Sequence, residues 1–214
     1  MSRILLLAAH PDDEVLGMGA TIKKLSKKGA QIHLCVVSEG ASAQYNDEKM
    51  IKVRRESCIK SSKLLGIKQI KFLDFPDMRL DSIPHLEINR ELEKQIAKIK
   101  PKIVYTTPNN DVNKDHQKVY ESTMVITRPF SSVKSVLCYE IPNIVNVPFY
   151  PNVYEDVTKE FHFKLQAFKY YWSEVAKSPH PRSIEALNAI ATYRGSQSGL
   201  KKAEAFQLIR NISS

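Results

Sequence analysis

The chain has little of what marks an exported, membrane-spanning or disulfide-held protein. Its three cysteines, Cys35, Cys58 and Cys138, are scattered and odd in number. That excludes both a disulfide framework and a CxxC metal clip, and it suits a reducing cytosol. No apolar stretch approaches the roughly 20 residues of a membrane helix, and the N-terminal apolar run is too soon followed by acids to serve as a signal peptide. A cytoplasmic protein without a membrane span is expected. Gly/Ser-rich and Pro-rich linkers are missing, so residues 1–214 read as a single domain. No GxGxxG run follows the first strand, which disfavours a dinucleotide cofactor. The formal net charge of +9 comes from dispersed lysines without a continuous basic tract, zinc-finger spacing or RNP-like motif, so nucleic acid is not an expected partner. A positive field of this kind favours an anionic small molecule or surface.

What is present is an alternation of strands and helices. Arg3 to Ala9 reads as a buried strand. About Glu14 to Lys28 reads as a helix, with Val15, Met18, Ile22 and Leu25 at three- or four-residue spacing and Gly29 as its stop. Strands follow at Gln31 to Val37, Ile70 to Leu73, Lys102 to Thr106 and Val133 to Tyr139. Helices are predicted at about Glu48 to Leu65, Leu86 to Ile99 and Asp115 to Thr127. The last third reads as helical, at about Val157 to Val175, Ile184 to Thr192 and Lys201 to Leu208. This order predicts an α/β, Rossmann-like three-layer fold: a mostly parallel sheet with helices on both faces and ligands bound at the strands' carboxyl ends.

Two segments should open on that edge. His10-Pro11-Asp12-Asp13-Glu14 follows the first strand, and Asn109 to His116 follows the fourth. The first places an imidazole beside three carboxylates, which reads either as a metal site or as a helix start with Asp12 as cap and Asp13 and Glu14 complementing the helix dipole. The loop from Ser38 to Asp47, with Glu39, Gln44 and Tyr45, lies on the same edge and could recognise a sugar or merely connect elements. Of the other histidines, His33 and His162 read as packing residues and His85 as part of a helix approach. His180 stays unassigned.

The residues Ala9 to Glu14 with Gly17 and Gly19, Arg54 before Leu65-Gly66, Phe75-Pro76-Asp77 with Leu80, and Asn113 to His116 resemble the LmbE-like, or PIG-L, family of zinc-dependent N-acetyl-sugar deacetylases. Weaker matches run through Arg128-Pro129 and Arg194-Gly195 to Ala203–Phe206. The resemblance implies that His10, Asp13 and His116 bind one Zn2+, that Asp12 is the general base and that Arg54 helps hold the substrate. Asp77 is a further substrate-binding candidate. Arg54 could equally be a helix-surface ion-pair former and Asp77 a turn cap. Two imidazoles and one carboxylate suit a catalytic zinc with an open position, and Fe2+ suits the same donors. Many members carry a histidine where this chain has Asn113, which can donate a hydrogen bond to an oxyanion but cannot deliver a proton. Asp12 is then expected to return the proton to the leaving amine.

The implied activity is hydrolysis of the N-acetyl group of an N-acetylglucosamine-like sugar or glycoconjugate, with an anionic one favoured by the positive charge and a homo-oligomer left open. A metal-dependent phosphoesterase and a non-catalytic sugar- or nucleotide-binding Rossmann-like module are the alternatives.

Overall fold

The computed structural model describes residues 2–45, 47–142 and 147–213. A seven-stranded sheet runs through them: β1 (Arg3–Ala8), β2 (Gln31–Ser38), β3 (Gln69–Phe75), β4 (Ile103–Thr106), β5 (Ser135–Tyr139), β6 (Val153–Asp156) and β7 (Ala203–Asn211), in the spatial order β3-β2-β1-β4-β5-β7-β6. The first five are mutually parallel, while β7 pairs antiparallel with both β5 and β6.

Helices α1 (Asp13–Lys27), α2 (Lys49–Leu65), α5 (Phe161–Phe168) and α6 (Ile184–Ser198) contribute to the core on one face, and α3 (His85–Ile99) and α4 (Lys114–Ile126) to the core on the other. Strand β1 feeds both. Ile4, Leu6 and Ala8 enter the first core, and Leu5, Leu7 and Ala9 the second, as the two-residue period of a strand requires. A strand buried on both faces reads as a continuous apolar run, which is why RILLLA shows no alternation of polarity. The expected three-layer α/β fold is thereby met.

Two expectations for the last third are corrected, and one element is added. Lys201 to Leu208 was expected to be helical, but Ala203–Asn211 is strand β7, inserted between β5 and β6. The long helix expected over Val157 to Val175 is confined to α5, after which the chain turns so that Tyr171 and Glu174 become buried. Strand β6 was not anticipated.

Helix α1 carries a break that positions the site. Met18 is non-helical (φ −147°, ψ 28°), which interrupts the backbone ladder. Glu204 on β7 accepts from the Ala20 and Thr21 amides at 3.2 and 2.7 Å and from Lys164 Nζ at 2.7 Å. A buried ion pair therefore satisfies amides that the helix leaves without partners. Just before the break, a Cβ on Gly17 would stand 2.2 Å from the Tyr139 ring. Only glycine permits that approach, and Tyr139 in turn donates to the Leu7 carbonyl at 2.8 Å.

Candidate active site

The chain leaves β1 for β2 and β3 on one side and reaches β4 and β5 on the other, so the switch point lies between β1 and β4. Loops diverge there at the carboxyl edge and leave a crevice. The turn from His10 to Asp12 leaves β1 at this point, and α4, bearing His116, follows β4. His10, Asp13 and His116 are buried and their ligating atoms lie within 4.8 Å of one another, with the two imidazole centroids 5.2 Å apart.

Surrounding acids fix each ring. His116 Nδ1 meets Asp111 Oδ2 at 2.6 Å, leaving Nε2 3.3 Å from Asp13 Oδ1. His10 Nε2 meets Asp115 Oδ2 at 3.0 Å and Asp77 Oδ1 at 3.4 Å, while Nδ1 lies 3.7 Å from Asp13 Oδ2. That pattern, one ring nitrogen held by a carboxylate and the other turned to the cluster, is how metal-binding histidines are oriented. Burial disfavours a charged His116, but Asp13 and Asp111 outweigh it and push the ring up to about 10. Burial would likewise raise Asp13, yet His116 and His10 hold it well below the usual carboxylate range.

Asp13 Oδ1 and His116 Nε2 are buried without hydrogen-bond partners. Buried polar atoms left without hydrogen bonds are costly, and a cation taking the place of the imidazolium proton between them would satisfy both, so this donor set fits a metal. A second group, His10, Asp77 and Asp115, is a poorer host. It shares His10, and both Asp115 oxygens are already engaged, Oδ2 by the Met78 amide at 2.9 Å and Oδ1 by the Leu80 amide at 3.0 Å.

Asp12 sits beside this cluster. It has φ 127° and makes no side-chain cap to α1, so its carboxylate is not spent on helix capping. Glu14 Oε2 accepts the Asp12 amide at 3.1 Å, and Tyr171 donates to the other Glu14 oxygen. Burial pushes Glu14 up to about 8. Burial also raises Asp12, with Arg182 and Arg54 pulling it back only in part. Oδ2 of Asp12 receives Arg54 at 3.0 Å and Arg182 at 3.3 Å, whereas Oδ1 has no partner.

Arg54 is 4% exposed and also donates to the carbonyls of Pro11 and Gly40. Asp77 is buried, accepts weakly from the Ala43 amide at 3.4 Å and lies against His10. Asn113 caps α4, its Oδ1 accepting the Asp115 amide at 2.8 Å, and its Nδ2 faces Met78 sulfur at 3.4 Å. Together His10, Arg54, Asp77, Met78, Asn113 and Arg182 border a cleft of about 330 Å³, within the small-ligand range. The arginines at this cleft are matched by Asp12 and Glu174, so the chain's positive charge is not concentrated here.

Sequence reasoning missed Arg182, Glu174 and Tyr171 as site residues, and it did not separate Asp111 and Asp115 from their segment. An acid five residues before His116 and one immediately before it were the available signals. In the Ser38 to Asp47 loop, Glu39 accepts the Asp77 amide at 3.0 Å, Gln44 borders the cleft and Tyr45 donates to Glu174 at 3.0 Å; Asn46 lies outside the described residues. His33 is partly buried in β2, and His85 opens α3 with Nε2 3.0 Å from Ser122 Oγ. His162 is exposed and stacks on Phe163 at 4.1 Å, and His180 accepts the Arg182 amide at 3.0 Å.

The sequence model of the PIG-L family, described as GlcNAc-PI de-N-acetylase, matches residues 5–127, from β1 through α4. The chain belongs to the PIG-L family. Among its relatives, the uncharacterized deacetylase YaiS of Escherichia coli (strain K12) is 35% identical over 175 residues, covering 78% of this chain and 88% of YaiS. The diacetylchitobiose deacetylase of Thermococcus kodakarensis is 27% identical, covering 99% and 85%. Among solved structures, the N,N'-diacetylchitobiose deacetylase of Pyrococcus horikoshii superposes with a TM-score of 0.83 at 24% identity, covering 98% and 84%. The 4-carboxy-2-hydroxymuconate hydratase GalB of Pseudomonas putida also superposes, with a TM-score of 0.80 at 20% identity over 100% and 98%. The fold therefore does not choose the reaction. Among the described residues no helix is long and apolar enough to cross a membrane.

Proposed function

We propose that this PIG-L family member is a zinc-dependent hydrolase that removes the N-acetyl group from an N-acetylglucosamine-like sugar or glycoconjugate. The observation carrying the reading is the juxtaposition of unpartnered buried atoms, Asp13 Oδ1, His116 Nε2 and Asp12 Oδ1, beside a sugar-sized cleft. His10, Asp13 and His116 would hold the ion. A divalent zinc there would polarise the acetamide carbonyl and make water more acidic, the two contributions that hydrolysis of an unactivated amide needs.

The chain's own residues do the rest. Asp12 Oδ1 takes a proton from the attacking water, whose oxygen bonds to the acetamide carbon. Asn113 Nδ2 donates to the carbonyl oxygen as negative charge collects on it. When the C–N bond breaks, Asp12 returns its proton to the departing amine, so acetate and a free amino sugar leave. The same carboxyl group thus serves as base and then as acid, which Asn113 could not do.

The test is acetate release by the zinc-loaded protein from a panel of N-acetyl sugars and their phosphate, nucleotide and lipid conjugates. At least one should be deacetylated. Asp12→Asn should lose roughly a hundred- to ten-thousandfold in rate while elemental analysis still finds the metal. No release from any panel member by the loaded protein, or an Asp12→Asn protein as active as wild type, overturns the proposal.

A further inference from the structure

Outside the metal-binding set, two arginines from distant segments converge on one oxygen of Asp12, and Glu174 lies between them. Arg54 comes from α2, while Glu174 and Arg182 come from the segment between α5 and α6. Arg182 Nη1 donates to Asp12 Oδ2 at 3.3 Å and to Glu174 Oε2 at 2.6 Å. Glu174 Oε1 lies 3.6 Å from Arg54 Nη1 and accepts from Tyr45 at 3.0 Å.

We propose that Arg182, held by Glu174, is a positioning residue for the deacetylation: with Arg54 it pins Asp12 Oδ2, so that Oδ1 meets the substrate in a single orientation. The inference rests on the deacetylase reading. Its physical basis is the softness of the terminal torsion of an aspartate, which is broad and nearly two-fold. An unpinned carboxylate would exchange its oxygens and wander from line of attack. The backbone at Asp12 adds to the need, because a non-glycine residue at φ 127° persists only where its surroundings hold it.

The two arginines divide the work unequally. Arg54 is buried and also ties Gly40 and Pro11 together, so its loss would disturb the loops. Arg182 is one-quarter exposed at its side chain and borders the cleft. Its segment is anchored independently of the guanidinium, by the Ala176 amide on the Arg182 carbonyl at 3.3 Å and by Ser183 capping α6. Arg182→Ala is therefore expected to fold.

Two readouts test the idea. With a substrate that the wild type deacetylates, Arg182→Ala should lose roughly 10- to 100-fold in kcat, the scale of a small misplacement of a reacting group, with KM within about twofold. Arg182→Lys and Glu174→Gln should fall between it and the wild type. Added methylguanidinium should restore part of the Arg182→Ala rate and none of the Asp12→Asn rate. Independently of any substrate, a crystal structure of Arg182→Ala should show the Asp12 carboxylate rotated or split between orientations, with His10, Asp13 and His116 in place. An unchanged kcat, a loss confined to KM, or a carboxylate in one unaltered orientation overturns the proposal. If the wild type deacetylates nothing, the deacetylase reading fails by itself, and the crystal structure still decides how Asp12 is held.

Discussion

Replacing Asp111 by asparagine removes one charge from the site and almost no volume. Asp111 Oδ2 lies 2.6 Å from His116 Nδ1, and both side chains are 1% exposed. Water cannot substitute for the lost charge, and the partner faces the ring nitrogen opposite to the one proposed to meet the ion. An asparagine oxygen can still accept the Nδ1 proton, but the amide nitrogen then replaces Oδ1 and gives up the Asn113 amide, now at 2.9 Å, while Gln117 Nε2 on the Asp111 carbonyl at 2.6 Å still ties the loop to α4. At the imidazole, what changes is the basicity lent to it. Loss of such an outer partner weakens metal binding by roughly 10- to 100-fold, about 1.4 to 2.8 kcal/mol. Competition against a chromogenic chelator measures this directly, with circular dichroism melting of the metal-free protein as the check on folding. A Zn2+ affinity within twofold of wild type in a protein of unchanged melting temperature would refute the assignment of His116 as a ligand oriented by Asp111.

Gly17→Ala drives a methyl into the Tyr139 ring, and overpacking of this kind costs about 1 to 3 kcal/mol; a melting temperature equal to wild type would show that the ring yields freely. Burial pushes the Cys35 and Cys138 thiols up to about 12 and Cys58 well above its ordinary value. An aromatic disulfide reagent at pH 8 should therefore label none of the three in the native protein and all three in urea, and rapid native labelling would contradict their burial. Glu204→Gln strands the Lys164 ammonium and should cost about 3 kcal/mol, more than Lys164→Met, after which Glu204 keeps its two backbone amides. Urea unfolding of the two variants ranks them, and the reverse order would mean that the pair is not what holds the break in α1.

The half of the protein built from β1 to α4 was legible because its signals are local. RILLLA needs no context to read as a strand buried on both faces, and His10 to Asp13 and His116 are announced by short segments at strand ends. The C-terminal third obeys different constraints. Residues 203–211, AEAFQLIRN, mix apolar and polar positions in a run too short to separate helix from strand by period, and pairing with β5 and β6 decides the matter. Residues 161–175 are apolar enough to prolong a helix, but the chain turns after Phe168, and Tyr171 and Glu174 reach the site as a result. Arg182 was illegible for a plainer reason. An arginine among Pro181, Ser183 and Glu185 looks like any solvated loop cation, and its partner Asp12 lies 170 residues away.

The place of β7 in the sheet bears on how the protein is made. Strand β6 is synthesised some fifty residues before β7, yet among the described residues it pairs with β7 alone, and β5 borders β7 on the other side. Until residues 203–211 leave the ribosome, β5 presents an open edge of the kind that invites pairing with other chains, and the break in α1 lacks its Glu204 cap. A nascent chain halted before residue 203 would hold every residue assigned to the reaction while its sheet stood unfinished. Completion of α1 thus waits on β7, and the hazard of misassembly lasts until β7 has been made.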